Sequence, residues 1–287
     1  MWRRFCLHRR NWLCRIVLGV LLCLGLTVLA KTNRCVDLNY ESSAQTGGVC
    51  GSQEVRGDQP ERDLERMAQE DPIGLLRLTE QNYQRSVKDY TCTFLKRELI
   101  DGELKTDTMR ILFKEDPFSV VMNWCEPKGP LDKLLYSEKN GNMDILARPS
   151  GLAGMVVSTI RKDVDDIKLK KYTVRTPAQF GISRSLTDVL RMYEKEVEGF
   201  GSAAKYAGTK EVDDRVCLLF QRELPRELGY LYGRVDIYVD KEYVLPTKME
   251  MFDGEGGLIG SYTFTDLQFN LGLADELFEP GTYGFGG

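Results

Sequence analysis

Histidine is almost absent from this chain of 287 residues, because His8 is the only one. Nucleophilic triads and most transition-metal sites depend on an imidazole, so the chain after residue 30 lacks the residue that both need. No Cys-x-x-Cys pair occurs, which argues against a zinc site or a dithiol redox motif. Phosphate-binding loops and Gly-x-Ser-x-Gly elbows are also missing. The sequence therefore predicts no catalytic residue, no metal site and no cofactor.

Excess positive charge is lacking as well. The first thirty residues hold five of the 39 basic groups and no acidic group, which leaves 34 basic against 43 acidic groups in the rest of the chain. Because the chain after residue 30 has a net negative charge, it is not suited to neutralise the phosphates of a nucleic acid, and we expect no nucleic-acid partner.

A basic start leads into an uncharged stretch, Ile16–Ala30. Fifteen residues fall short of the roughly 20 apolar residues of a comfortable membrane-spanning helix. A basic n-region, an apolar h-region and a small residue at the cleavage site are typical of a secretory signal peptide. The sequence therefore predicts a signal peptide over residues 1–30, with cleavage after Ala30. An uncleaved membrane anchor is the alternative. Residues 31–61 are polar and predict a linker before a domain over 62–287.

Five cysteines follow the predicted leader: Cys35, Cys50, Cys92, Cys125 and Cys217. In an oxidising compartment Cys35 and Cys50 could close a loop. For the other three, buried or unpaired thiols are at least as plausible.

The C-terminal part predicts an antiparallel meander. Alternating runs cover Gly233–Asp240, Val244–Phe252 and Leu258–Phe269, and Gly-containing turns separate the last two. After them, Asp275–Phe278 predicts a short helical turn that places Leu277 or Phe278 on the sheet.

Earlier segments predict the same kind of sheet with helices against it. Asp71-Pro72 is a typical helix start, and that helix runs to about Lys88. A second helix is predicted over Leu186–Val197. Further strands are predicted in Tyr90–Lys114 around Asp101-Gly102, at Phe118–Trp124, on both sides of Asn140-Gly141, and at Lys205–Lys210 and Arg215–Glu223. Between them, Pro149–Lys171 is irregular and is predicted to be a loop that touches apolar surface.

The predicted fold class is therefore α+β: a curved antiparallel sheet of about ten strands, an unclosed half-barrel, with two or three helices covering its concave face. So few helices leave room for an apolar hollow, which is a common ligand site. Methionine suits surfaces that accept varied apolar ligands. The predicted lining comprises Met109, Ile111, Phe113, Met122, Trp124, Val235, Ile237, Met249, Met251, Tyr262 and Phe264. The alternative is that these residues form an ordinary core. Most carboxylates are predicted at turns or on the exposed strand face.

Several segments in order resemble the LolA-like superfamily. These are "DYTCTFLKREL", "MRILFKEDPFSVVMNW", "LLYSEKNGNMDIL" and "VDKEYVLPTKMEMFD…YTFTDLQFN". The resemblance covers roughly residues 70–285 and is to an uncharacterised bacterial branch. It implies an unclosed half-barrel with helices as a lid, in which periplasmic carriers hold lipoprotein acyl chains and related regulators sense lipoproteins. No ligand-handling residue of a carrier is matched, and Pro149–Lys171 and the long N-terminus depart from the pattern.

These observations predict a periplasmic, non-catalytic binding protein for lipid or lipoprotein acyl chains, acting as a carrier or an envelope sensor. An envelope protein is a second kind of expected partner. One alternative is a structural or interaction module of the cell envelope with a filled core. Another is a carboxylate-dependent hydrolase, which needs two acids that converge in the hollow.

Overall fold

An open antiparallel sheet of eleven strands forms the frame of the protein in a computed structural model. The structure describes residues 61–125, 129–196, 204–224 and 232–285, all within one unit, Arg34–Gly287. The predicted leader, almost all of the predicted linker and the Cys35–Cys50 pair lie outside those residues. The strands are β1 (Asp89–Ile100), β2 (Glu103–Lys114), β3 (Ser119–Trp124), β4 (Leu131–Ser137), β5 (Asp144–Pro149), β6 (Ile160–Asp163), β7 (Lys205–Val212), β8 (Arg215–Glu223), β9 (Arg234–Asp240), β10 (Leu245–Phe252) and β11 (Leu258–Phe269).

The order across the sheet is β6-β5-β4-β3-β2-β1-β11-β10-β9-β8-β7. Strands that are neighbours in the sheet are therefore consecutive in the chain, except for the central pair of β1 with β11, and the consecutive strands β6 and β7 lie at opposite edges. The predicted α+β class with an unclosed antiparallel sheet is confirmed. The additional strand is β6, whose four residues are all exposed and so carry no alternating pattern.

The described residues form four α-helices: α1 (Glu61–Glu70), α2 (Pro72–Ser86), α3 (Gly151–Val156) and α4 (Ile182–Glu196). The predicted start of α2 is confirmed, because Asp71 accepts a hydrogen bond of 2.8 Å from the Gly74 amide and Pro72 takes the first helical position. Neither α1 nor α3 is predicted by the sequence.

Helices and C-terminal turns cover opposite faces of the sheet. Leu75 and Leu76 of α2 and Leu186 of α4 pack into the main core with inward residues of nearly every strand. On the other face, Leu112 and Val121 pack beneath Phe278. The predicted turn at Asp275–Phe278 is a 3₁₀ turn that buries Phe278, as expected.

Turn chemistry sets two of the connections. Asp101 and Gly102 link β1 to β2 with φ of 53° and 79°, the left-handed pair that a two-residue hairpin requires. Asn140-Gly141 was expected to form the same kind of turn. Instead Lys139–Gly141 is a 3₁₀ turn, which makes the connection between β4 and β5 longer.

Candidate functional site

A cavity of about 440 Å³ lies between the sheet and the segment that follows β6. We call residues 164–185 the covering segment. It contains two 3₁₀ turns, Ile167–Lys171 and Pro177–Gln179, and the start of α4. A volume of this size falls in the range of small-molecule sites in proteins, roughly 300–1,000 Å³.

Two cross-strand rows line the sheet side of the cavity. In the first row, Phe264, Phe94, Met109 and Trp124 are register partners across β11, β1, β2 and β3. In the second row, Met122, Leu134, Ala147 and Ile160 are partners across β3, β4, β5 and β6. All eight side chains line the cavity. Because partners in register point to the same face of a sheet, the two rows form a continuous apolar wall.

Phe180 joins the covering segment to this wall. Its ring centroid lies 5.0 Å from that of Phe94, 5.8 Å from that of Phe264 and 6.0 Å from that of Phe113. The next residue, Gly181, has φ of 104°, and a Cβ there would lie 3.2 Å from the Phe113 ring. Only glycine combines this backbone with so close an approach. The contacts hold the covering segment over the first row.

A polar group closes one edge of the cavity. Glu98 is only 1% exposed, and its carboxylate accepts a hydrogen bond of 2.6 Å from the Tyr262 hydroxyl. The Thr173 hydroxyl lies 3.0 Å from the same carboxylate. The ammonium of Lys96 lies 3.3 Å from Glu98 and 3.3 Å from Asp107. Burial, and next the charge of Glu98, raise the pKa of Tyr262, so this hydroxyl stays protonated and donates.

Basic side chains stand at the opening. Lys162 pairs with Asp166 at 3.4 Å, and Arg175 pairs with Asp188 at 3.2 Å. Lys168 is exposed and lines the cavity beside them. A hydrogen bond from the Lys168 amide holds the pKa of Asp166 below its usual range, so that carboxyl is ionised. The cavity therefore combines an apolar wall with a polar edge and a charged entrance.

The predicted lining residues separate into three groups. Met109, Met122, Trp124, Tyr262 and Phe264 line the cavity. Ile237 and Met249, together with Tyr262 and Phe264, line a second space of about 20 Å³, which has room for about one water molecule. The others are buried and line neither space: Ile111, Phe113, Val235 and Met251. That the eleven residues bind a ligand stays a prediction.

Sequence reasoning missed other parts of the wall. Phe94, Leu134 and Ala147 occupy predicted strands, and Phe94 alternates with Lys96 and Glu98 on one face of β1. Because this face mixes apolar and charged residues, the sequence pattern does not indicate that it points toward the cavity. Nothing in the sequence around Leu169 indicates that it lines the cavity, because the covering segment has no regular period.

Three further features describe the chemistry that the chain offers. Among the described residues, no three His, Cys, Asp or Glu side chains are grouped to hold a metal ion. Within the same ranges, no helix is long and apolar enough to cross a membrane. Cys125 is disulfide-bonded, whereas Cys92 and Cys217 are free and buried.

The fold defines a class of proteins: open antiparallel half-barrels with helices on one face and a cavity beneath them. Within that class the chain belongs to the family described as "Protein of unknown function (DUF1571)", whose model matches residues 87–285. A search of curated proteins found no match.

Solved structures that are similar to this chain include a LolA superfamily protein, a lipoprotein and a chain of a MucA/MucB complex. A LolA superfamily protein from Nitrosomonas europaea is 10% identical, with a TM-score of 0.33, over 72% of this chain and 96% of its own. The Mycobacterium tuberculosis lipoprotein LppX is 9% identical, with a TM-score of 0.41, over 71% and 98%. The Pseudomonas aeruginosa MucA/MucB complex contains a chain 14% identical, with a TM-score of 0.43, over 74% of this chain and 62% of that one.

Proposed function

We propose that this protein is a periplasmic, non-catalytic binding protein for lipid or lipoprotein acyl chains, which acts as a carrier or as an envelope sensor. The observation that carries the proposal is the cavity of about 440 Å³ and its wall of two apolar cross-strand rows. An acyl chain in such a space gains about 0.8 kcal/mol for each CH₂ removed from water, before ordering costs.

The compartment is proposed from two observations. The first thirty residues have the pattern of a secretory leader, with five basic groups before an uncharged stretch. Cys125 is disulfide-bonded, and disulfides persist in oxidising compartments such as the periplasm.

A carboxylate-dependent hydrolase is supported less well. Asp107 and Asp166 both line the cavity, but each is paired with a lysine, and the pKa of Asp166 is lowered. A general acid needs a carboxyl that keeps its proton near neutral pH. Burial raises the pKa of Glu115 and of Asp236, and neither residue lines the cavity.

An envelope interaction module with a filled core is the other candidate. In such a module the side chains of the covering segment would meet the sheet and leave no space of this size. An envelope protein as partner remains compatible with the binding function, because a sensor needs both a ligand and a partner.

Trp124 provides a direct test of the cavity. The chain has three tryptophans, Trp2, Trp12 and Trp124, so Trp124 is the only one in residues 31–287. It lies in the first row of the cavity wall. We expect dibrominated stearate to quench the fluorescence of this fragment, which contains the whole unit Arg34–Gly287, while ordinary stearate does not quench it.

The matched variants are Ala147→Phe and Ala207→Phe. Ala147 lies in the second row, so a phenylalanine there fills the cavity and should weaken stearate binding about tenfold or more. Ala207 is exposed on β7, far from the cavity in the strand order, and its variant should bind as the wild type does. Equal fluorescence with both stearates would refute the binding function. Native mass spectrometry of protein from its own periplasm then identifies the bound lipid.

A further inference from the structure

The helix α3 displays apolar side chains instead of burying them. Leu152, Met155 and Val156 are 81%, 82% and 86% exposed, and α3 has no buried residue. Val157 and Ile160 follow and are also exposed. A soluble protein normally packs aliphatic side chains of a helix against its core, and a cluster of exposed ones marks a contact surface. We call these five residues the apolar rim.

The backbone around the apolar rim is held in place. The Ser150 hydroxyl donates to the Gly129 carbonyl, and the Arg148 guanidinium donates to the Ser158 carbonyl at 3.4 Å. Gly154 lies so close to the Pro149 carbonyl that a Cβ would collide with it. These contacts fix α3 on the end of β5 while its apolar side chains face outward.

The apolar rim continues into the cavity. Pro149, just before α3, and Ile160, just after it, both line the cavity. Ile160 is the last member of the second cross-strand row, as the partner of Ala147. An apolar path therefore runs from the exposed helix to the cavity wall, without a charged residue between Pro149 and Ile160.

The surroundings of the apolar rim are basic. Arg148 precedes the uncharged stretch, and Arg161 and Lys162 follow it. Residues 144–171 hold six basic and four acidic groups, whereas the whole chain has a net charge of −4. Lys168, at the cavity entrance, is exposed. A surface with exposed aliphatic side chains beside basic groups is suited to bind an anionic lipid bilayer. The aliphatic side chains can enter the boundary between headgroups and acyl chains, and the basic groups can contact the anionic headgroups.

Protein partners fit this surface less well. The apolar rim has five residues, whereas a standard protein interface uses roughly 20–30 residues on each side. The neighbouring edge strand β6 is four residues long and carries Arg161, Lys162 and Asp163, and short charged edges disfavour pairing with another strand.

We propose that the apolar rim docks the protein onto an anionic lipid bilayer, with the cavity entrance against the membrane. An acyl chain can then pass between bilayer and cavity along the path through Ile160 without crossing water. The purpose of this docking rests on the proposed function, but the docking itself is tested separately.

The test is co-sedimentation of residues 31–287 with vesicles. We expect the protein to sediment with vesicles that contain phosphatidylglycerol, less with phosphatidylcholine alone, and less as salt increases. Val156→Asp should lower the partition constant for the vesicles about tenfold, because the charged aspartate side chain cannot enter the acyl layer of the bilayer as valine does. The matched control, Val216→Asp, changes an exposed valine on β8 and should sediment as the wild type does.

The outcomes separate docking from ligand binding. Val156→Asp should keep the quenching of Trp124 by dibrominated stearate, because Val156 does not line the cavity. Docking is overturned if the wild type stays in the supernatant, or if Val156→Asp sediments equally well. A dimer in sedimentation velocity that Val156→Asp dissociates would overturn it in favour of a second copy. Vesicle binding by a wild type that takes up no stearate would support docking and refute the proposed function instead.

Discussion

At the scale of single residues, Glu98 shows how a buried charge can organise one edge of the cavity. It is 1% exposed and meets Tyr262 from β11, Thr173 from the covering segment and Lys96 from its own strand. A buried carboxylate without such partners would be costly, so the three partners and the carboxylate depend on one another. Glu98 therefore connects the covering segment to the sheet.

We predict that Glu98→Ala lowers the free energy of unfolding by about 2 kcal/mol, because it removes the acceptor of the buried Tyr262 hydroxyl and one of the two carboxylates that pair with Lys96. Glu98→Gln keeps an oxygen acceptor and should cost less. Tyr262→Phe removes one donor and should cost about 1 kcal/mol. Urea unfolding of the variants measures these differences, and equal stability of Glu98→Ala and wild type would contradict the role of Glu98.

The sequence could not predict Glu98, because residue type alone favours an exposed position for glutamate. The same holds for Asp89, Asp236 and Asp240, which are also buried. Asp89 accepts hydrogen bonds from the amides of Leu271, Gly272 and Leu273, which are distant in sequence. A charged side chain is buried only where the fold brings its hydrogen-bond partners together, so no local sequence pattern predicts its burial.

At the scale of elements, one ion pair attaches α4 to the end of β4. Arg184 donates two hydrogen bonds, of 2.8 and 2.9 Å, to the two carboxylate oxygens of Glu138. The guanidinium also lies over the Phe118 ring, 3.4 Å from its centroid. The hydrogen bonds from Arg184 lower the pKa of Glu138 below its usual value. This contact fixes the first turn of α4, at the end of the covering segment.

The pH dependence of this contact has a definite sign. Because the folded pKa of Glu138 is lower than the unfolded one, about 4.3, the pair stabilises the fold above that pH. The stabilisation is lost as the pH falls through the folded pKa. We predict that Arg184→Gln costs less than about 1 kcal/mol near neutral pH, because the pair is partly exposed, and less in acid.

Thermal unfolding of wild type and Arg184→Gln across pH measures this difference. A difference that stayed constant from about pH 7 to about pH 3 would mean that packing over Phe118, not the ion pair, carries the effect.

Strands were predictable where local chemistry agreed with the fold. The bounds of β11 match the predicted run Leu258–Phe269, because polar and apolar residue types alternate from Ser261 to Thr265, although residues 260–264 are all buried. By contrast, α3 consists of Gly-Leu-Ala-Gly-Met-Val, and its two glycines and outward apolar residues obscure a helix. Of the cavity, the sequence could predict half of the sheet wall: Met109, Met122, Trp124 and Phe264 share a face with other apolar residues of their strands, whereas Phe94 shares its face with Lys96 and Glu98. The covering segment depends on long-range contacts such as those of Phe180.

At the scale of the whole molecule, the free cysteines report on global unfolding. Cys92 of β1 and Cys217 of β8 are buried, and burial raises the pKa of both thiols. Only the thiolate attacks alkylating reagents, so both should be protected in the native protein. We predict that iodoacetamide at pH 8 labels neither Cys92 nor Cys217 in native buffer and labels both completely in denaturant, as read by mass spectrometry of the peptides that contain them.

Cys92 and Cys217 lie on different parts of the sheet, so their labelling also tests whether it opens as one unit. Equal protection of both thiols as denaturant increases would indicate a single cooperative transition. Early labelling of Cys217 alone would indicate that the β7–β8 edge opens first, and rapid native labelling of Cys92 would contradict the packing of β1.

The central pair of β1 with β11 has a consequence for how the molecule is assembled. Strands β1–β6 and β7–β11 are each consecutive, and Tyr90 and Phe269 illustrate the one ladder that connects the two sets. Helices α2 and α4, from the first set's part of the chain, pack on β10 of the second. A chain severed between α4 and β7 would thus yield two complementary halves that recognise each other through a strand ladder and a helix interface. The two parts of this single chain are therefore arranged as two different subunits would be, with the connection between α4 and β7 joining them.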